Sequence, residues 1–178
     1  MSDESLILRT SRLRFVMWNE GDAPLVQRLH STAATTRYLA GSAPWSPEKA
    51  AERLRGWFEE QARDGTTKYK LLGEDGRFIG RAGISRFGSE QFELGYSLIE
   101  EAWGKGLATE AASALADWFF ESRPAPAFIA FTHPENVASQ RVLRKIGMRE
   151  RAPILIDGVS GTAFELTSDM RPGRPSAS

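Results

Sequence analysis

Two glycines flank a lysine in the stretch Trp103-Gly104-Lys105-Gly106-Leu107-Ala108-Thr109, and these residues are the ones in the chain best suited to chemistry. Glycine enters positive φ at little steric cost, so a Gly-x-Gly turn lets several consecutive backbone N–H groups point into one concavity. The residues that follow have helical period, and the free first-turn amides and positive dipole end of a helix would face the same concavity. Such a cradle holds a pyrophosphate without any basic side chain. The same residues also make an ordinary strand-to-helix turn with glycine at the N-cap. Two familiar nucleotide motifs do not fit. A Walker loop needs Ser or Thr directly after Gly-Lys, but Lys105 is followed by Gly106; a dinucleotide fingerprint needs a third glycine where Leu107, Ala108 and Thr109 stand.

Positioning that loop requires elements on both sides of it. Leu6 to Thr10 and Leu13 to Val16, around Ser11-Arg12, predict a bent strand or a strand pair. Asp22 predicts a helix cap with Pro24 in the first turn. Ser46-Pro47 opens a longer helix whose apolar stripe is Ala50, Leu54, Trp57 and Phe58, with Gln61 continuing it. Tyr69 to Leu72 and Phe78 to Phe87, joined by Glu74-Asp75-Gly76, predict antiparallel strands, and Phe92 to Ile99 a third. Gly80 and Gly83 mark a bulge or a close backbone approach. The period then turns helical from Gly106 to Ser122, with Ala108, Ala111, Ala112, Leu115 and Phe119 as the stripe. Ala127 to Thr132 predicts a strand and Asn136 to Ile146 a helix ended by Gly147. A last hairpin, Met148 to Ile156 and Ala163 to Thr167, turns through Asp157-Gly158 and Gly161. One domain over 1–170 and a disordered tail over 171–178 are expected, the tail because it is rich in Pro, Gly and Ser.

Composition narrows the function further. The chain has 178 residues, 41% hydrophobic and 26% charged, enough for one self-sufficient core. No apolar run approaches the roughly 18 to 20 residues that span a bilayer. Lys plus Arg and Asp plus Glu both number 23, so no global field draws nucleic acid or an anionic membrane. The absence of cysteine excludes disulfides, thiolate metal sites and a cysteine nucleophile. It fits a reducing compartment, and with no signal-peptide pattern a cytoplasmic location is expected.

The order of strands, Gly95-Tyr96, W-G-K-G-L-A-T-E-A, a strand, and then N-x-x-S-x-x-x-L-x-K-x-G-M over Asn136 to Met148 resembles the GNAT acyl-CoA N-acyltransferases. Within them it is most similar to the RimJ/RimL branch, which acetylates ribosomal-protein N-termini. The resemblance runs from about Leu6 to Leu166. It implies an α+β fold: one GNAT-type domain whose central, mostly antiparallel mixed sheet has a V-shaped split and helices on both sides. It implies acetyl-CoA as co-substrate and no metal. Gly104, Lys105, Gly106, Leu107, Ala108 and Thr109 would grip the pyrophosphate through backbone amides. Leu98 and Ile99 would pair with the pantetheine arm and polarise the thioester carbonyl. Asn136 would contact the cofactor arm, with Ser139 one helical turn later. Trp103 at the first loop position suits this branch. Leu143 stands where many relatives carry a tyrosine acid, which excludes an acid from that site.

Amine acetylation needs a neutral amine, a polarised carbonyl and a proton for the departing thiolate. The resemblance points to Glu93 as the base, against a solvated or ion-paired strand residue. It points to Ser139 as the thiolate's proton donor, against a helix hydroxyl bonded to the backbone. His133 is a second candidate base or a substrate contact, and Trp45 and Tyr38 are candidates for the acceptor pocket. Glu110 is expected to cap or pair within the first helical turn, and the basic run Arg141 to Arg151 to face solvent. The function expected is transfer of acetyl from acetyl-CoA to a primary amine, a protein N-terminus or a small molecule, directly in a ternary complex. The alternative is a catalytically silent acyl-CoA-binding module. The resemblance also allows a homodimer through the C-terminal strands.

Overall fold

Leu13-Arg14-Phe15-Val16 alternates enough to bury one side, and in the computed structural model, which describes residues 5–156 and 158–171, it is a strand. Strands β1 (Leu6–Arg9) and β2 (Leu13–Val16) form the expected antiparallel pair. β3 (Lys68–Gly73), β4 (Phe78–Phe87) and β5 (Gln91–Leu98) continue the antiparallel sheet, and β6 (Ala127–Thr132), β7 (Arg149–Ile156) and β8 (Val159–Thr167) complete it. The order of the eight strands is β1-β2-β3-β4-β5-β6-β8-β7. All neighbours are antiparallel except β5 and β6, which are parallel and share one register pair, Glu93 with Ile129. Beyond that pair the ladder stops, and the sheet is split toward Leu98 and Thr132.

Both glycine expectations in β4 are met, each at its own residue. Gly80 has φ of +153° beside a register shift, which is the bulge. At Gly83 an added Cβ would run into the Thr67 carbonyl, which is the close approach.

Two apolar layers cover the two faces. Tyr69, Leu71, Ala82, Ile84, Leu94 and Leu98 pack against helix α4 (Leu107–Ser122) and helix α5 (Val137–Lys145). Because side chains alternate across a strand, Lys68, Lys70, Arg81 and Glu93 point to the other face. There helix α1 (Ala23–Leu29), the short α2 (Ala33–Thr36) and α3 (Pro47–Asp64) lie, with Trp18, Val26, Ala50, Leu54 and Trp57 as a second cluster. Helix α3 begins as expected: Ser46 Oγ accepts from the Lys49 N–H at 3.2 Å, and Gly65 ends it at φ +66°.

Two local expectations need correction. Asp22 precedes α1, but its carboxylate accepts from the Asn19 N–H and from Lys70 Nζ at 2.7 Å instead of capping. The last strand begins at Val159, not Ala163, so Gly161 lies inside it; the register shift between Arg151 and Ile154 falls at Pro153, which has no N–H to give the ladder. The turn residue Asp157 and the tail residues 172–178 lie outside the described residues. Arg171, also expected in the tail, donates to Asp117 Oδ1 at 2.5 Å and to the Ser113 carbonyl at 3.2 Å.

Candidate active site

Gly104 and Gly106 both sit in the left-handed region, at φ +70° and +75°. No atom crowds a Cβ at Gly104, so it is the backbone angle that demands glycine there. The N–H groups of Gly104, Lys105 and Gly106 have no backbone partner among the described residues, and no side chain caps α4. The first bond of that helix runs from the Glu110 N–H to the Gly106 carbonyl, at 3.0 Å, which leaves Leu107, Ala108 and Thr109 as the free first turn.

The loop is held from the far edge of the sheet. Arg12, in the β1–β2 turn, donates through Nη1 to the Lys105 carbonyl at 2.9 Å and through Nε to Glu110 Oε2 at 2.6 Å. Glu110 Oε1 also accepts from Thr10 Oγ1 at 2.6 Å and from the Arg12 N–H at 3.0 Å. Burial pushes the Glu110 carboxyl up, but the bonds from Thr10 and Arg12 outweigh it and hold the group below its ordinary range. Glu110 therefore pairs across the fold, not within its own helical turn.

At the split, the Ile99 N–H donates to the Ile79 carbonyl at 2.9 Å, toward β4. Backbone groups alternate along a strand, so those of Tyr96 and Leu98 face the split. Of the two expected residues, Leu98 can offer an N–H there, whereas that of Ile99 is spent. Opposite them, Asn136 Oδ1 caps α5 by accepting from the Ser139 N–H at 3.2 Å. Ser139 Oγ lies 2.8 Å from Tyr96 Oη, and Tyr96 also donates to the Ser139 carbonyl at 3.3 Å. Burial raises the Tyr96 phenol to about 12, the bond with Ser139 opposing, so it is a neutral hydroxyl at physiological pH.

The other face of β5 carries Glu93. Lys68 Nζ donates to Glu93 Oε2 at 2.9 Å, to the Glu93 carbonyl at 2.7 Å and to Ser85 Oγ at 3.0 Å. The lysine side chain is 5% exposed; burial lowers its basicity and the Glu93 charge works against that. A Cβ at Gly95 would come within 2.8 Å of Lys68 Cε, so the glycine makes room for the lysine to cross to Glu93. The Trp45 ring lies against that of His30, tilted by 35° with centroids 4.0 Å apart. Tyr38, from the segment after α2, meets His133, from the end of β6, at 5.4 Å. His133 Nδ1 accepts from the Glu135 N–H at 3.2 Å, which leaves the ring proton on Nε2 and makes that nitrogen a donor.

Residues 12–149 match the family model of the acetyltransferase (GNAT) domain. The chain belongs to this family. It is 40% identical over 63 residues to the uncharacterised N-acetyltransferase YnaD of Bacillus subtilis, a match confined to 35% of this chain and 37% of that protein. It is 26% identical to the uncharacterised N-acetyltransferase p20 of Bacillus licheniformis over 147 residues, 80% of this chain and 82% of that one. A solved structure of RimL, a ribosomal L7/L12 α-N-protein acetyltransferase in complex with coenzyme A, superposes with a TM-score of 0.80. That likeness, at 17% identity over 93% of this chain and 99% of the other, shows the shared GNAT fold.

The GNAT frame thus gathers the expected residues into two groups on opposite faces of β5. Leu98, Gly104 to Thr109, Asn136 and Ser139 lie around the split and its loop; Glu93 and Trp45 lie under the α1–α3 roof. Tyr38 and His133 meet between the roof segment and the end of β6. Four residues were not foreseen. Tyr96 enters only within the Gly95-Tyr96 pattern, with no role assigned, and Lys68, Arg81 and His30 belong to no motif. Their partners lie 43, 25 and 51 positions away, so no local signal marks them. The basic run faces solvent, with Arg144 and Arg151 paired to Glu150 and Glu165. Among the described residues no group of His, Asp or Glu could hold a metal ion, and no helix is long and apolar enough to cross a membrane.

Proposed function

We propose that this chain transfers acetyl from acetyl-CoA to a primary amine, either a protein N-terminus or a small molecule, in one ternary complex. The observation that carries this is the run of unpartnered amides from Gly104 to Thr109 beside the split between β5 and β6. Six backbone donors and a helix end suit a pyrophosphate, and they explain how a chain with no net charge could hold a polyanion.

In this scheme acetyl-CoA, the co-substrate, brings the thioester. The Leu98 N–H polarises its carbonyl at the mouth of the split. Glu93, directly or through a water, takes a proton from the amine, whose nitrogen attacks the carbonyl carbon. As the carbon–sulfur bond breaks, Ser139 gives its proton to the sulfur and is reprotonated from solvent, which also takes up the amine proton from Glu93. Tyr96 positions the serine proton. When Tyr96 donates to Ser139 Oγ, the serine hydrogen is free to point at the thiolate; when it donates to the Ser139 carbonyl, its own oxygen takes that hydrogen. His133 enters as a donor toward the acceptor, not as the base. The cytoplasm is the proposed setting, and β7, the sheet edge with Leu155 exposed, is where a second copy would pair.

Coenzyme A release, followed over a panel of amines and N-terminal peptides, tests the activity. Sequential kinetics with at least one acceptor acetylated is expected. Tight acetyl-CoA binding with every acceptor untouched would instead favour the silent binding module. Tyr96→Phe is expected to lower kcat about tenfold while the KM for acetyl-CoA stays within about twofold. An equal loss in binding and turnover would show the hydroxyl to be structural.

A further inference from the structure

Arg81 is a half-buried cation on the acceptor-side wall with no carboxylate partner among the described residues. It stands on β4 opposite Ser97 of β5, next to the mouth of the split, and shares a sheet face with Glu93. Its Nε donates to His30 Nε2 at 3.3 Å, and its guanidinium lies 5.5 Å from the Trp57 ring. Among the described residues no carboxylate comes within ion-pair distance of it, and neither Nη atom has a hydrogen-bond partner.

Three neighbouring cations on this wall are matched. Lys68 pairs with Glu93 at 2.9 Å, Lys70 with Asp22 at 2.7 Å and Arg53 with Glu60 at 3.0 Å. The Lys49 ammonium lies 5.1 Å over the Trp45 ring. Burial lowers the Arg81 guanidinium to about 10, with Arg53 adding to the effect and Glu93 and Glu60 opposing it, so the group is charged at neutral pH. His30 is 0% exposed, and because its Nε2 accepts from Arg81 its proton sits on Nδ1, where it has no partner. A half-buried guanidinium fork and an orphaned N–H beside it are donors without an acceptor.

We infer that Arg81, with His30 orienting it, is a subsite for a carboxylate carried by the acceptor, so that the preferred acceptors are amines that also bear an acid group. This rests on the amine acetylation proposed above. A planar guanidinium matches a carboxylate through paired N–H bonds, which a neutral or cationic substrate cannot satisfy. The surplus positive charge of Arg81 and Lys49 repels a polycationic amine and is offset by an acidic one. The carboxylate has two sources, a free amino acid or an acidic side chain near a protein N-terminus.

Matched pairs separate these sources: amino acids against their carboxamides, and N-terminal peptides with Glu against Gln at the second or third position. The wild type is expected to favour the acid member of one pair type by at least about tenfold in kcat/KM. Arg81→Gln should bring that ratio to within about twofold of unity, and Arg81→Lys to an intermediate value. A stacking role for Arg81 against Trp57 would alter stability without moving the ratio. Equal rates for acid and amide in the wild type, or a preference that survives Arg81→Gln, overturn the subsite and leave acetyl transfer standing. Acetyl-CoA binding with no member of any pair acetylated overturns the subsite, and failure across the wider amine panel as well overturns acetyl transfer. The wild-type ratio decides even where a variant does not fold.

Discussion

Glu93→Gln is expected to lower kcat/KM for acetyl transfer by roughly 10²- to 10⁴-fold and, separately, to destabilise the protein by about 3 kcal/mol. The first effect follows if the carboxylate takes the amine's proton. The second follows from Lys68, whose ammonium is almost wholly buried and whose carboxylate partner among the described residues is Glu93. With the charge gone, Ser85 Oγ and the Glu93 carbonyl still accept from Lys68, but an uncompensated buried cation is left. Two roles for one residue are separated by a double variant. Lys68→Met alone should also destabilise, whereas Lys68→Met with Glu93→Gln should recover most of the loss, because no lone charge is then buried. Urea unfolding midpoints read the stability and coenzyme A release reads the chemistry. If the double variant regains stability but not turnover, Glu93 acts on the substrate. If both return, Glu93 is only the counter-ion of Lys68.

Gly106→Val should weaken acetyl-CoA binding by at least about 100-fold, through the backbone and not through crowding. An added Cβ at Gly106 would find Arg12 Nη2 at 3.6 Å, an ordinary contact, so space is not the obstacle. The obstacle is φ of +75°, which a β-branched residue adopts only at a cost of about 1–3 kcal/mol. Relieving that strain turns the N–H groups of Lys105, Gly106 and Leu107 away from one another and removes the converging donors. Trp103, next to the loop and 47% exposed, offers a fluorescence readout, and calorimetry offers a second. Unchanged affinity in a folded variant would remove the loop from the binding site.

Much of the frame is readable along the chain because it is built from local rules. Ser46 beside Pro47 starts a helix whatever lies above it, Gly65 and Gly147 stop helices by taking positive φ, and the change from strand to helical period at Gly106 needs only its own neighbours. The loop at Gly104 to Thr109 is local in the same sense, so its amide fan was visible before any fold was known. Local rules fail where a distant residue competes. Asp22 has the right type and place for a cap, but the buried Lys70 takes its carboxylate. Glu110 has a helical turn available to it, but the β1–β2 turn offers two hydroxyls and a guanidinium.

The glycine turn, the helix starts and stops and the absence of cysteine were present in the order of the residues, and the resemblance to the GNAT family pointed to Glu93 and Ser139. What that order left open was how far those two side chains are free to act. Alternation along β5 sends Tyr96 toward α5 and Glu93 toward the helical roof, and sheet register then brings Lys68 to Glu93, while the packing of α1 on the sheet brings His30 to Arg81. Such pairings depend on which face of the sheet each helix covers, a choice made by the summed burial of Trp18, Trp57, Leu94, Phe119 and their neighbours and not by any short stretch of chain. The family pattern is thus written locally, whereas the pairing of charged groups on the roof side of the sheet is a product of long-range packing.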